Sequence, residues 1–164
     1  MMSTGSECSF YSATPVEIIE AVSNSMTALL NVESGKVQFK VPMRTFKFRK
    51  ALMQQHFNDK YVETDKFPFA TFEGKIIEKV LFTKDGNYPV TARGTLTVHG
   101  VKKEYFEKGI IAIKNGQVSL QCSFKVALED HNIKVPKIVT ANIAEIIDIK
   151  ISAKFKPFVK SGKK

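Results

Sequence analysis

Apolar and polar residues alternate along most of this chain, and that alternation limits its fold more than any other feature. It is clearest at 88–98 (YPVTARGTLTV), where every second residue is apolar or glycine. The same period of two recurs at 37–44, 118–128 and 143–155. Because successive side chains of a β-strand point to opposite faces, the pattern predicts strands with one apolar and one polar face.

A weaker alternation covers residues 16–30. Val22 and Met26 share one parity within it, although Glu20 and Asn24 interrupt the pattern. We interpret the segment as a further strand, with Val22 and Met26 on its inner face.

Short glycine-containing sequences separate the alternating runs. ESGK (33–36), KDGN (84–87) and KNGQ (114–117) each place glycine after serine, aspartate or asparagine, and His-Gly at 99–100 offers another reversal. Such sequences are typical of tight hairpins, in which consecutive strands pair antiparallel. The chain therefore predicts about eight antiparallel strands in meander order.

Helical spacing is confined to two stretches. Residues 48–58 carry the stronger pattern, whereas 135–144 fits either a loop or a single helical turn. The predicted fold class is therefore all-β with a short helical insertion near 48–58. An extended up-and-down barrel is favoured because closure removes exposed sheet edges, and a two-sheet sandwich is the competing architecture.

Composition sets wide limits on function. The net charge of +9 is compatible with nucleic acid or an anionic surface as a partner, but the lysines are spread along the chain, as on an ordinary polar outer face. Only the end, 156–164, forms a basic tail. No apolar run reaches the eighteen or so residues of a membrane span. The first ten residues lack the basic-then-apolar pattern of a signal peptide, so the sequence leaves the compartment open.

Residues that carry chemistry do not form a recognisable catalytic or metal-binding motif. The three histidines, His56, His99 and His131, are far apart in sequence and fit no zinc spacing. Cys8 and Cys122 form no CxxC, so one disulfide and two free thiols both remain open. The carboxylates of residues 59–73 alternate with lysines, as in a solvated charged segment. We expect no enzyme, no metal and no catalytic residue.

The inward positions of the predicted strands mix large and small side chains. Small residues in mid-strand leave space that a neighbouring ring or a bound apolar molecule must fill. The sequence alone leaves a filled interior and a hollow one equally open. The large members are Phe39, Phe72 and Phe124, and the small ones are Ala28, Ala70, Gly74, Ala92, Gly94 and Ala153.

Three segments resemble the YceI-like family, in order and at similar spacing. They are 51–76 (ALMQQHFNDKYVETDKFPFATFEGKI), 88–104 (YPVTARGTLTVHGVKKE) and 124–153. The resemblance implies a lipocalin-like, extended antiparallel β-barrel that holds a polyisoprenoid or similar long-chain lipid. It also implies export to the bacterial periplasm, and it implies no cofactor. The chain has no tryptophan and lacks the Asp-x-x-His-Ser motif of many members, which leaves the ligand's identity open.

Together these observations predict one lipid-binding barrel domain over residues 1–164. We expect non-catalytic binding, storage or transport of a long apolar lipid. A homodimer is compatible with the sequence, and we expect no nucleic acid partner. The alternative is a filled barrel that acts through its surface in envelope or stress response, or a basic barrel that binds nucleic acid near Lys47, Arg49 and Lys50. The predicted interior lining is Val22, Met26, Phe39, Met43, Phe72, Leu96, Leu120, Phe124, Ile149 and Ile151, and the predicted rim or lid is Leu52, Met53, His56 and Phe57.

Overall fold

The computed structural model of the protein describes residues 2–14, 18–134 and 145–156. Within those ranges the chain forms ten strand segments and one short α-helix, α1 (Ala51–His56), which continues as a π-helical turn over Phe57–Tyr61. The strands are β1 (Met2–Ala13), β2 (Ile18–Ser23), β3 (Thr27–Leu30), β4 (Lys36–Pro42), β5 (Lys47–Phe48), β6 (Phe69–Ile76), β7 (Gly86–Val98), β8 (Val101–Lys114), β9 (Gln117–Ala127) and β10 (Ile146–Lys156).

The strands form one antiparallel sheet that closes on itself. From β6 to β10 each strand pairs with the next one in sequence, β4 pairs with β6, and β1 pairs with β10 from Met2–Lys156 to Tyr11–Asp148. β2 and β3 pair with two different parts of β1, so together they act as one interrupted strand. β4 pairs with β3 and β5 pairs with β2, so β4 and β5 act as a second interrupted strand. The ten segments therefore make an eight-stranded up-and-down barrel. The predicted fold class is confirmed.

The interruption between β2 and β3 shifts the alternation by one residue. Ala21 and Ser23 are buried in β2, and the buried series resumes at Met26, the residue before β3. Val22 consequently lies half-buried on the other parity, and its predicted place among the inward residues is corrected. The extra residue lies at Asn24–Ser25, where the strand is broken.

The second interruption, between β4 and β5, lies beside the first. The hydroxyl of Thr45 donates to the carbonyl of Pro42 at 2.5 Å, so the hydroxyl of Ser23 is the donor in the 2.6 Å bond to Thr45 Oγ1. Ser23 Oγ also accepts the backbone N–H of Ser25 at 3.2 Å. One serine therefore links the two breaks through side-chain hydrogen bonds.

Two of the predicted hairpin turns join their strands with only two residues. His99 and Gly100 connect β7 to β8, and Asn115 and Gly116 connect β8 to β9, all with φ between 52° and 81°. Positive φ at both central residues matches the right-handed twist of the strands. The KDGN sequence instead ends the longer connection of residues 77–85 between β6 and β7.

The helix lies within the predicted range and closes one end of the barrel, which we call the helical end. Its segment (49–68) lies at the same end as the β7–β8 turn and a 3₁₀ turn, Leu128–His131, that follows β9. The helix is shorter than predicted because the backbone widens into the π-helical turn at Phe57. The weaker helical prediction at 135–144 and the basic tail beyond 156 lie outside the described residues.

Candidate functional site

A cavity of about 200 Å³ occupies the barrel interior. Its lining is almost entirely apolar and draws on β1, β2, β4 and every strand from β6 to β10. Along β6 it borders residues from Ala70 to Ile76, a span of about 20 Å at the usual rise per residue of a strand. An apolar cavity of even about 150 Å³ stays dry and takes up apolar molecules. The barrel is therefore hollow, and its interior suits an apolar guest.

Small inward residues account for the hollow only in part. Gly74 and Gly94 face each other across β6 and β7, and a Cβ on Gly94 would lie 2.8 Å from the Phe72 ring. That ring therefore fills the space over both glycines. Ala92 and Gly109, by contrast, border the cavity directly. The interior is filled at the glycine pair and open beside it.

Nine of the ten residues predicted as lining border this cavity. Val22 is the exception, for the reason given above. Their role as lipid contacts remains a prediction. The nine are Met26, Phe39, Met43, Phe72, Leu96, Leu120, Phe124, Ile149 and Ile151.

Four phenylalanine rings close the cavity at the helical end. Phe10 stacks on Phe57 with ring centroids 5.4 Å apart, and Phe46 and Phe48 lie within 5.0–5.9 Å of these two rings. All four border the cavity. We call them the aromatic cap. Three of them, Phe10, Phe46 and Phe48, were not among the predicted site residues.

The predicted rim residues occupy different environments. Phe57 is buried in the aromatic cap, and Met53 borders the cavity. Leu52 is 64% exposed and does not border it. His56 is half-buried off the cavity, with its ring edge-on to Tyr61 at 6.5 Å. The helix therefore contributes one side to the closure, through Met53 and Phe57.

The YceI-like domain matches residues 4–155, which is nearly the whole chain. The chain belongs to the YceI-like family. The resemblance found in the three sequence segments is thereby confirmed.

Solved structures of three proteins show the same fold as this YceI-like barrel. A polyisoprenoid binding domain from Saccharophagus degradans, implicated in plant cell wall breakdown, superposes with a TM-score of 0.81 at 12% identity, over 96% of this chain and 98% of that one. Burkholderia cenocepacia BcnA gives 0.79 at 15%, over 92% and 96%. The Campylobacter jejuni YCEI protein gives 0.61 at 19%, over 82% and 84%. Comparison with curated proteins gave no match.

Polar side chains of the YceI-like barrel also reach the cavity, and the sequence predictions did not include them. Tyr105 and Glu107 line it from β8, and Cys122 lines it from β9. Burial raises the pKa of Tyr105 to about 12, with smaller effects of Asp130 and Glu107. The alternation along β8 could have indicated the two residues of that strand, because Tyr105 and Glu107 share the parity of Ile111 and Ile113, which are buried.

Both cysteines are free thiols on the cavity wall. Cys8 pairs with Ile151 on β10, and Ile151 pairs in turn with Cys122 on β9, so the cysteines are two strand spacings apart. That separation is about 10 Å, too far for a disulfide. Burial raises the pKa of Cys8 to about 12 and that of Cys122 to about 11, so both thiols are protonated near neutral pH.

Two histidines of the YceI-like barrel join a hydrogen-bonded network at the helical end. His131 is fully buried, and its Nδ1 lies 3.0 Å from the carbonyl of Val101. Because that carbonyl can only accept, Nδ1 carries the proton, and Nε2 accepts from the Tyr105 hydroxyl at 3.1 Å. His99 bonds the carbonyl of His131 at 3.0 Å and Glu63 at 2.6 Å. The network connects a cavity residue to the surface.

The candidate nucleic-acid patch lacks exposed rings. Lys47, Arg49 and Lys50 are exposed, but the neighbouring Phe46 and Phe48 belong to the aromatic cap. Single-strand binding needs rings on which bases can stack.

Within the described ranges, no helix is long and apolar enough to cross a membrane.

Proposed function

We propose that this YceI-like barrel binds a long-chain apolar lipid, a polyisoprenoid or similar molecule, inside the barrel and without catalysis. The observation that carries the proposal is the apolar cavity that follows the strands for about 20 Å. Burial in such a tube needs no catalytic group, and the guest exchanges water for hydrocarbon surroundings.

The expected affinity is useful but moderate. Drug-sized ligands achieve about 0.3 kcal/mol per non-hydrogen atom, so a chain of about twenty carbons would gain about 6 kcal/mol. That free energy corresponds to a dissociation constant of tens of micromolar. Such an affinity suits a protein that both takes up and releases its lipid, and we propose storage or transport on that basis.

The comparisons support the same ligand class. The Saccharophagus degradans domain, which shares the fold, is named for polyisoprenoid binding.

Family resemblance also leads us to propose a periplasmic location, which fractionation of the source cells would test. Recovery of the protein only with the cytoplasm would contradict the location and leave the ligand proposal intact.

Native mass spectrometry of the purified protein, with organic extraction of the same sample, tests the proposal. We expect an adduct of lipid mass that is lost on denaturation. Extracted protein that takes up no prenyl or alkyl chain when these are added back would contradict the proposal.

Tryptophan substitutions locate the ligand. Leu96→Trp and Leu120→Trp place a larger ring in the cavity and are expected to lower lipid uptake at least about tenfold, since each displaces several methylenes of the guest. Gln121→Trp is the matched control, because Gln121 is exposed on the outer face of β9. Uptake that is unchanged in both cavity variants, with the fold intact by circular dichroism, would place the lipid elsewhere.

A further inference from the structure

Glu107 is the one carboxylate among the described residues that line the cavity. Two of its neighbours on the cavity wall have no polar side chain. Ala92 lies opposite it on β7, and Gly109 is the next inward residue of β8. A carboxylate on an apolar wall loses hydration that its surroundings must replace.

No described residue supplies that replacement. Within the described part of the chain, the Glu107 carboxylate makes no hydrogen bond and no ion pair. By contrast, Glu63 is bonded by His99 and Glu78 by Thr91, and Glu104 on the outer face of the same strand pairs with Arg93 at 3.9 Å. Burial accordingly raises the pKa of Glu107.

The two donors that flank Glu107 along the wall are already engaged. The hydroxyl of Tyr105 donates to Nε2 of His131, as shown above. The thiol of Cys122 donates to the carbonyl of Lys108 at 3.3 Å. Neither of these donors is free to bond Glu107, so its carboxylate is available to a donor on a molecule that occupies the cavity.

Glu107 also lies where the barrel wall departs from regular pairing. The β8–β9 ladder runs from Lys114–Gln117 to Gly109–Cys122 and ends there among the described residues. Glu107 is the first inward residue of β8 beyond that point, and the Tyr105 and Phe124 rings meet at 6.0 Å on its far side. A polar group on a guest would thus be placed at a defined position on the wall.

We propose that Glu107 recognises the head group of the bound lipid by accepting a hydrogen bond from it. The ligand class is a long apolar chain that carries a donor, an alcohol or an amine. An ether or ester would leave the carboxylate unpaired, and a phosphate or carboxylate head would be repelled by it. This inference rests on the proposed function and adds the chemistry of the head group.

A pair of ligands with the same chain separates the head group from the tail. Lipid-free full-length protein is titrated by calorimetry with geranylgeraniol and with geranylgeranyl methyl ether. We expect the wild type to bind the alcohol about tenfold more tightly, since a hydrogen bond to a charged acceptor is made only by the alcohol. In Glu107→Leu the two ligands are expected to bind equally, and in Glu107→Gln the preference should shrink.

Glu104→Gln is the matched control, because Glu104 lies on the outer face of β8 and should leave the tenfold preference unchanged. Thermal unfolding checks each fold, and the isosteric Glu107→Gln carries the test if Glu107→Leu does not fold. Equal binding of both ligands by the wild type, or a preference that survives in Glu107→Gln and Glu107→Leu, overturns the role of Glu107 and keeps the proposed function. Absence of binding by either ligand overturns both.

Discussion

Both ring nitrogens of His99 face oxygen acceptors. Nδ1 lies 3.0 Å from the carbonyl of His131, and Nε2 lies 2.6 Å from Glu63. When Glu63 is ionised its carboxylate can only accept, so Nε2 of His99 is the donor in this hydrogen bond. The hydrogen bond from His99, with smaller effects of Lys66, lowers the pKa of Glu63. This pair fastens the segment after the helix to the β7–β8 turn.

The Glu63–His99 pair makes the stability of the protein depend on pH. A carboxyl whose pKa is lowered in the folded state stabilises that state above its ordinary pKa of about 4.5, and the contribution is lost as the pH falls through the lower, folded value. We expect Glu63→Gln to lower the free energy of unfolding near neutral pH and to differ little from the wild type in strong acid. Urea denaturation across that range measures the difference. Glu33→Gln in the exposed β3–β4 turn is the control, and an equal deficit of Glu63→Gln at both ends would contradict the argument.

The sequence did not predict which histidines and which carboxylate form this network, and the reason is physical. His56 was the histidine predicted at the rim, but the network formed around His99 and His131. Glu63 and His99 are separated by 36 positions in sequence. Such a contact depends on where two loops meet in space, and alternation along a strand carries no information on it.

At the scale of elements, the paired breaks in β2–β3 and β4–β5 stand out. Ser23 is fully buried, and its hydroxyl bonds Thr45 across the two breaks. An unsatisfied buried hydroxyl is costly, so the two interruptions depend on each other. Side-chain hydrogen bonds therefore join the two breaks.

Removal of one hydroxyl tests that dependence. Thr45→Val keeps the shape of the side chain but leaves the Ser23 hydroxyl without its partner at Thr45, and we expect it to cost about 1–3 kcal/mol of unfolding free energy. Thr95→Val, on the outer face of β7, is the matched control and should change little. Chemical denaturation compares the two. Equal effects of both substitutions would show that the bond to Ser23 is not what matters.

The same breaks mark the limit of prediction at this scale. Alternation predicted the long strands and nine of the ten proposed lining residues, because a regular strand keeps one parity throughout. It placed Val22 on the wrong face because residues 16–30 were interpreted as one strand in spite of the interruption at Asn24, whereas the parity shifts by one residue at Asn24–Ser25. The aromatic cap was missed for a related reason. Phe10 and Phe46 meet only once the barrel has closed.

At the scale of the whole molecule, the hollow interior means that part of the core is missing until a guest fills it. A protein with a dry cavity lacks the dispersion contacts that a filled core would have. A ligand that binds only the folded state stabilises it by mass action. If the proposed lipid binds inside this barrel, stability and occupancy are therefore coupled.

Lipid removal should show that coupling. At a ligand concentration about 100 times the dissociation constant, the folded state gains about 2.7 kcal/mol. For a chain of this size that corresponds to a rise in Tm of about 5–10 °C on adding lipid back to extracted protein. Leu120→Trp, with its cavity partly filled, should show a smaller rise. An identical Tm with and without lipid, at saturating concentration, would argue against internal binding.

The pairing of β1 with β10 has a consequence for how the chain acquires its structure. These two strands are joined along most of their length, yet nearly all of the described chain lies between them. Pairing of β1 with β10 closes a very long loop. The entropy of that closure is lost before the contacts between the two strands can compensate for it, so folding that depends on this pairing is slow. During synthesis one edge of β1 stays unpaired until β10 has emerged from the ribosome. A chaperone that shields that edge would suit this protein more than one that accelerates local folding.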